Sequence, residues 1–211
     1  MNEAKVTDLD YINFLVASPL VFSCTEAARV QPATPRRAAH DALTRLLHRF
    51  DPDPSPLWDE ANQHVSLHDG LLIVDDTTLD KPYAQHIELV HRHWSGKHHR
   101  MVAGINLVTL LWSDGTHAIP CDYRLYDKPV DGVTKNAHFR DMLATAKQRG
   151  FEPRLVAFDS WYSSLENLKT IRSLGWHWLT RLKKNRQVTQ TAVAIGHLRR
   201  VRSRHWERWC I

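Results

Sequence analysis

Cysteine is scarce in this 211-residue chain, and the three present, Cys24, Cys121 and Cys210, are scattered. No two form a close pair or a metal-ligand spacing. This argues against a disulfide framework and reads as reduced thiols in a cytoplasmic protein. Long hydrophobic runs are missing as well. The apolar run Ile12 to Cys24 contains Pro19 and is too short to span a bilayer. Its upstream flank carries Glu3, Asp8 and Asp10 against a single Lys5, unlike the basic start of a signal peptide. The expectation is an intracellular protein with no membrane insertion. No Gly-rich phosphate loop occurs, and neither Ser160 nor Ser163 stands in a Gly-x-Ser-x-Gly turn, which leaves nucleotide-loop and serine-hydrolase chemistry without support.

What remains is a globular composition. Hydrophobic residues make up 43% and charged residues 24%, enough for one sizeable core with a small appendage. The net charge of +5, with fourteen histidines counted as neutral, favours an anionic partner.

Residues 1–50 read as helical. Thr34-Pro35 has the form of a helix opening, and Ala39, Leu43, Leu46, Leu47 and Phe50 then share one face. A shorter helix around Thr25 to Arg29 would complete a pair, with Arg36, Arg37, Arg45 and Arg49 on the remaining surface. A DNA-contacting helix-turn-helix is the functional alternative. The plainer reading, a helical pair packed on the main domain, is favoured. Asp51-Pro52-Asp53-Pro54-Ser55-Pro56 reads as a stiff extended linker within a 51–69 segment that also holds a short helix.

From Gly70 the pattern turns to strands. Leu71 to Asp76 is a buried apolar run, Met101 to Trp112 is rich in Val, Ile and Leu, and Ser113-Asp114-Gly115 is a hairpin signal. Ile119, Cys121, Tyr123 and Leu125 alternate with polar residues. A helix follows with Phe139, Met142, Leu143 and Ala146 on one face and Gly150 past its end. After the strand Arg154 to Asp159, a second helix opens with Ser163 and Glu166 at capping-box spacing. Trp178 to Leu182 is a fifth strand. The order β-β-β-α-β-α-β, laid out with right-handed crossovers, places strand one between strands two and four. This is a ribonuclease H-like α/β mixed sheet over residues 70–188, followed by an irregular basic tail over 189–211.

Two strands in that layout are parallel neighbours, and each ends in acid: Val74-Asp75-Asp76 and Phe158-Asp159. Adjacent carboxylates repel unless a cation lies between them. Such a pair suits Mg2+ or Mn2+, which take oxygen ligands and stabilise the attacking and leaving oxygens of a phosphodiester. The plain alternative is that the acids are ordinary strand-end turn residues. Strand alternation puts Asp75 and Asp76 on opposite faces, so only one joins Asp159, and spacing does not choose between them.

Asp75-Asp76-Thr77-Thr78 resembles the DDT signature of DDE transposases from bacterial insertion sequences, and Phe158-Asp159-Ser160-Trp161-Tyr162 resembles their second-aspartate block. Lys81-Pro82-Tyr83, the stretch Arg92 to His99, Gly104 to Leu107, Pro120 to Arg124 and Trp178 to Lys183 are similar to one subgroup. The collinear set runs from about Tyr11 to Asn185. The resemblance implies DNA cleavage and strand transfer on double-stranded DNA at element ends and target, with a homo-oligomer on DNA. It implies catalytic and metal-binding roles for Asp76 and Asp159, and none for Asp75. The family also carries a downstream glutamate among Tyr, Arg and Lys. Here the only acid after Glu166 is Glu207, in Arg204-His205-Trp206-Glu207-Arg208-Trp209, without that context. The expectation is a truncated transposase with impaired strand transfer. A non-catalytic DNA-binding remnant and a metal-dependent nuclease of the same fold are the rivals.

Basic residues supply candidate DNA contacts. Arg92, His93, Trp94, Lys97 and Arg100 lie in a segment joining strands one and two, where a solvated loop is the equal alternative. Irregular histidine spacing there disfavours zinc. Arg181, Lys183, Lys184 and Arg186 close strand five, near the sheet edge that bears Asp159.

Overall fold

The computed structural model describes residues 5–19, 22–35, 37–49, 53–96, 99–182, 187–191 and 194–197. The chain divides into two units, Met1–Asp53 and Pro54–Ile211. Among the described residues no helix is long and apolar enough to cross a membrane.

The first unit holds helices α1 (Asp8–Ala17), α2 (Cys24–Val30) and α3 (His40–Leu47). Thr7 and Asp10 form a reciprocal capping box that opens α1. Val6, Ala27, Ala38, Leu43 and Leu46 make its small core. Thr34-Pro35 does not open α3, contrary to the sequence expectation. The helix begins at His40, with Ala39 as N-cap and no side-chain cap. The reason lies in the preceding turn, whose groups are bonded back toward α2. Gln31 accepts the Ala38 N–H at 2.9 Å, and the Arg37 guanidinium donates to the Ala28 and Arg29 carbonyls. Arg36 and Phe50 lie outside the described residues.

In the second unit α4 (Ser55–Ala61) starts directly after Pro54, with Pro56 in its first turn. Pro56 therefore opens a helix rather than extending a linker, since a first-turn proline loses no intrahelical bond. The sheet then follows: β1 (Leu71–Asp80), β2 (His91–Ser95), β3 (Arg100–Ser113) and β4 (Ala118–Tyr126). After the short α5 (Lys128–Asp131) come α6 (Lys135–Gln148), β5 (Leu155–Phe158), α7 (Leu165–Ser173) and β6 (Trp178–Thr180). The order across the sheet is β2-β3-β1-β5-β6, with β4 also paired to β3. β1 is antiparallel to β3 and parallel to β5, and β5 is parallel to β6. This is the ribonuclease H-like arrangement, with β1 at the centre as expected.

Three local differences from the sequence reading have physical causes. His91–Ser95 is a strand rather than a loop. It pairs antiparallel with Arg100–Gly104, while β4 pairs further along β3 from Asn106, so two strands share one edge end to end. Second, a register shift at Leu110/Leu111 leaves Cys121 as the extra residue of a bulge beside Pro120. Strict alternation fails there, and Cys121 and Asp122 are both buried. Third, α7 is capped by Ser164, which accepts from Asn167 N, one residue later than Ser163. Ser163 is buried and donates instead to the Ser160 carbonyl at 2.8 Å. Beyond β6, the strands β7 (Gln187–Thr191) and β8 (Ala194–His197) pair as a hairpin where irregular chain was expected. Val188, Thr189 and Thr191 supply the β-branched residues that favour it.

The main core lies between the sheet and α6 and α7. Leu72 and Val74 of β1, Val108 and Leu110 of β3, and Val156 and Phe158 of β5 meet Phe139, Met142, Leu143 and Ala146 of α6, all buried. Phe139 is its hub, edge-on to Phe158 at 5.2 Å and stacked on Tyr162 at 5.1 Å between ring centroids. Replacing Phe139 by Ala is expected to cost about 3–5 kcal/mol. Urea unfolding followed by tryptophan fluorescence reads this loss, and a loss below about 1 kcal/mol would contradict Phe139's place as the hub.

Candidate active site

Parallel pairing of β1 with β5 stops at Val74 opposite Phe158. β1 itself continues against β3 as far as Asp80. Asp75 and Asp76 therefore stand within a strand, at the point where one of its two neighbours ends. Asp159 is the first residue after β5. Crevices of this kind, at the carboxyl ends of parallel strands, are where open α/β sheets hold ligands.

A cavity of about 460 Å³ opens there, lined by Asp75, Asp76 and Asp159 with Thr77, Thr78, Trp94, Asn106, Lys135 and Trp161 among its walls. Both acids of β1 reach this cavity, so alternation does not exclude either from joining Asp159. The end of the β5 pairing explains this, because both faces of β1 border the crevice beyond Val74. By register Asp75 is level with Asp159. Asp76 lies on the face that bears Leu72 and Val74, toward α6.

Each carboxylate is differently held. Asp76 Oδ2 accepts from Lys135 Nζ at 2.6 Å, and its Oδ1 accepts from Tyr162 Oη at 3.2 Å. Asp159 Oδ1 accepts the Trp161 backbone N–H at 2.7 Å. Asp75 Oδ1 accepts the Asp76 N–H at 2.9 Å. Partial desolvation by the surrounding chain pushes the Asp75 carboxyl above its ordinary value. The nearby charges of Asp76 and Asp159 add to the rise, and the bond from the Asp76 N–H opposes it. Burial, chiefly, and then the Asp76 charge push the Tyr162 phenol well above its ordinary value, so it stays protonated and donates.

Lys135, Tyr162 and Asn106 were not singled out as site residues by the sequence. Two signals were available. Lys135 is the first residue of α6, after the N-cap Thr134, and a cation at a helix N-terminus opposes the macrodipole unless an anion lies close by. Asn106 is a buried polar residue within an apolar strand. Its Oδ1 accepts from Lys135 Nζ at 3.0 Å.

The expected DNA-contact strip is divided by its strand. Trp94 is 63% exposed and lines the carboxylate cavity. His93 instead bonds Thr78 Oγ1 through Nε2 at 2.8 Å. Arg92 and Arg100 are exposed and line a separate cavity with Asp80 and Pro82. Arg181 is exposed just past β6. Lys97, Lys183, Lys184, Arg186 and Glu207 lie outside the described residues. Among the described residues, no three His, Cys, Asp or Glu side chains converge to hold a metal ion.

A family model described as DDE superfamily endonuclease matches residues 23–205. No curated protein matches the chain. Among solved structures, similarity is found to a piggyBac transposase synaptic complex with hairpin DNA, at 12% identity and TM-score 0.47 over 88% of this chain and 45% of that one. The Drosophila P element transposase strand transfer complex matches at 12% identity and TM-score 0.37, covering 81% and 40%. A pre-cleavage Mos1 transpososome matches at 13% identity and TM-score 0.30, covering 86% and 61%. The chain thus spans less than two thirds of each of these proteins.

The Tyr162 bond gives a pH-dependent expectation. An unfolded tyrosine releases its proton near 10.0, while the folded one keeps it. This contribution to stability is complete below about pH 10 and is lost as pH rises beyond it. Tyr162→Phe should cost about 1 kcal/mol at neutral pH and flatten the alkaline decline. Urea midpoints compared between about pH 8 and 11 measure it, and parallel curves for the two proteins would refute it.

Proposed function

The chain belongs to the DDE superfamily endonucleases, and from that premise we propose that it is the catalytic region of an insertion-sequence transposase of the DDT-signature group. In this reading it cuts and joins double-stranded DNA at element ends and target, and Asp76 and Asp159 bind Mg2+ or Mn2+. The observation that carries the proposal is the meeting of Asp76 and Asp159 in one cavity where the parallel pairing of β1 with β5 ends. Residues 70–188 make the catalytic core in this reading. Residues 1–50 are a helical region, and a homo-oligomer assembles on the DNA.

The donor set suits a hard divalent cation. Carboxylate oxygens of Asp76 and Asp159 face one cavity, and the Asp76 end already accommodates the positive charge of Lys135. With few protein ligands such ions keep several waters. When bound, they supply charge stabilisation to the attacking and leaving oxygens of the phosphodiester. Tyr162 fixes one oxygen of Asp76, and the Trp161 N–H fixes one oxygen of Asp159, so both carboxylates are oriented in advance. Water attacks phosphorus and the bond to the 3′ oxygen breaks. The freed 3′ hydroxyl then attacks a phosphorus of a second DNA, and the bond from that phosphorus to its own 3′ oxygen breaks, so that this oxygen leaves as a new 3′ hydroxyl. Trp94 and Arg181 contact that DNA as exposed groups, with Arg92 and Arg100 on an adjoining surface. His93 acts indirectly, by tying β2 to Thr78.

Asp75, the third acid of the cavity, has no metal role in this reading, so the site offers two carboxylate ligands and strand transfer is weak. Ligand misplacement on the order of 1 Å can cost about a hundredfold in rate. The same observation supports the second reading, a DNA-binding protein of this family that does not cut.

Nicking of supercoiled plasmid in Mg2+ or Mn2+ is the test. Asp76→Ala and Asp159→Ala should each reduce nicking by about a hundredfold or more, while Asp75→Asn retains most of it. Nicking that survives both alanine substitutions unchanged would overturn the site. Salt-dependent DNA binding without any nicking would select the second reading.

A further inference from the structure

Lys135 is an unusual lysine. It occupies the first position of the fourteen-residue α6, where the helix dipole disfavours a cation. Its side chain is only 16% exposed, so its ammonium has given up most of its water. Three groups replace that water: Asp76 Oδ2 at 2.6 Å, Asn106 Oδ1 at 3.0 Å, and the Tyr126 ring with its centroid 5.6 Å from Nζ. A carboxylate oxygen, an amide oxygen and an aromatic face together form a cation cradle. The first two are also the hard oxygen donors that Mg2+ and Mn2+ prefer.

The cradle opens on the cavity that holds Asp75 and Asp159. Three carboxylates border it, and among the described residues Lys135 is the single lysine or arginine in its lining. An ammonium on a four-carbon stem neutralises part of that charge and can also leave, because the stem has several rotatable bonds. When it leaves, Asp76 Oδ2 and Asn106 Oδ1 are released together.

We propose that Lys135 is a tethered counter-ion seated in the cation position of this site, which a divalent metal must displace, and that Asn106 Oδ1 then serves with Asp76 as an oxygen ligand. This rests on the metal-binding reading of Asp76 and Asp159. It adds that metal affinity is set by competition with a residue of the chain itself. The displaced ammonium stays beside the cavity, where the phosphate of bound DNA carries the complementary charge.

Binding of Mn2+ alone, without DNA, tests the idea by titration calorimetry and by the loss of the free-ion electron paramagnetic resonance signal. Lys135→Met keeps the apolar stem and removes the charge. Its Mn2+ dissociation constant is expected to fall about tenfold below wild type, the worth of one charge-assisted bond. Lys135→Arg retains a competing cation and should bind no more tightly than wild type. Asn106→Leu should weaken binding in the Lys135→Met background, and Asp76→Asn should remove it. Thermal unfolding gives a second readout. Lys135→Met should melt lower than wild type without metal and recover more on adding Mn2+. Equal or weaker Mn2+ binding by Lys135→Met, with Asp76→Asn still abolishing binding, would overturn the counter-ion role and leave the metal site standing. Binding indifferent to Asp76→Asn, or absent from every variant, would overturn both.

Discussion

Three carboxylates border the crevice where β5 leaves β1, and their mutual repulsion must be offset before the two strands can lie side by side. The fold spends donors on each. Asp76 takes an ammonium and a phenol, Asp159 takes the N–H of Trp161, and Asp75 takes the N–H of its own neighbour. Among the described residues, only Asp76 of the three is given a full positive charge. It also lies on the face toward α6, next to the core, where water can do least to screen it. The distribution of donors thus follows the depth of each acid.

Those donors have to be held in turn, and the core does so. Tyr162 is buried against Phe139, and its backbone carbonyl accepts from Asn167 Nδ2 at 2.8 Å. Asn167 is fully buried on α7. It also donates to Asn136 Oδ1 and accepts from Arg140, both on α6. Asn136 is the neighbour of Lys135. One buried amide therefore links the start of α6, the first turn of α7 and the loop after β5. A buried, fully satisfied network of this kind fixes one arrangement, because each broken bond leaves a polar group stranded. The geometry around Asp76 is a property of the α6–α7 packing as much as of β1.

How much of this the sequence disclosed follows from the range of each interaction. The centre of the sheet was legible, since the apolar runs at 71–74, 101–112 and 155–158 and the crossover rules leave few layouts. The α6 face was legible residue by residue, as all four of its expected core positions are buried. Asp159 was legible as a strand-end carboxylate, whereas Asp76 stands inside a strand that runs on to Asp80 and marks only the end of its pairing with β5. The α3 start was not, because Arg37 and Gln31 close the preceding turn through contacts seven to nine residues away in sequence, beyond any capping pattern. The β4 alternation misled at Cys121, where a bulge inserts one residue and pulls Asp122 inward to Arg124. Lys135 stayed hidden because its partner, Asp76, is 59 residues away. Only its conflict with the helix dipole marked it, and that conflict names no partner.

The β2 strand shows how a chain of this kind can shape a crevice without adding chemistry to it. Its residues carry the charge and ring expected of a solvated strip, yet alternation sends His93 inward to Thr78 and leaves Trp94 at the cavity. β2 and β4 meet end to end along β3, and near the joint His91 Nε2 lies 2.9 Å from Asp127 Oδ1. The edge of β3 is thereby paired along nearly its whole length, which removes an exposed edge that invites misassociation. The same pairing brings Trp94 and Ser95 to the lining of the cavity that holds the acids. A flexible loop would carry the same charge, but it would not hold an indole in a fixed place on the wall of this cavity. The strand thus gives the cavity that holds the acids a wall with a defined position.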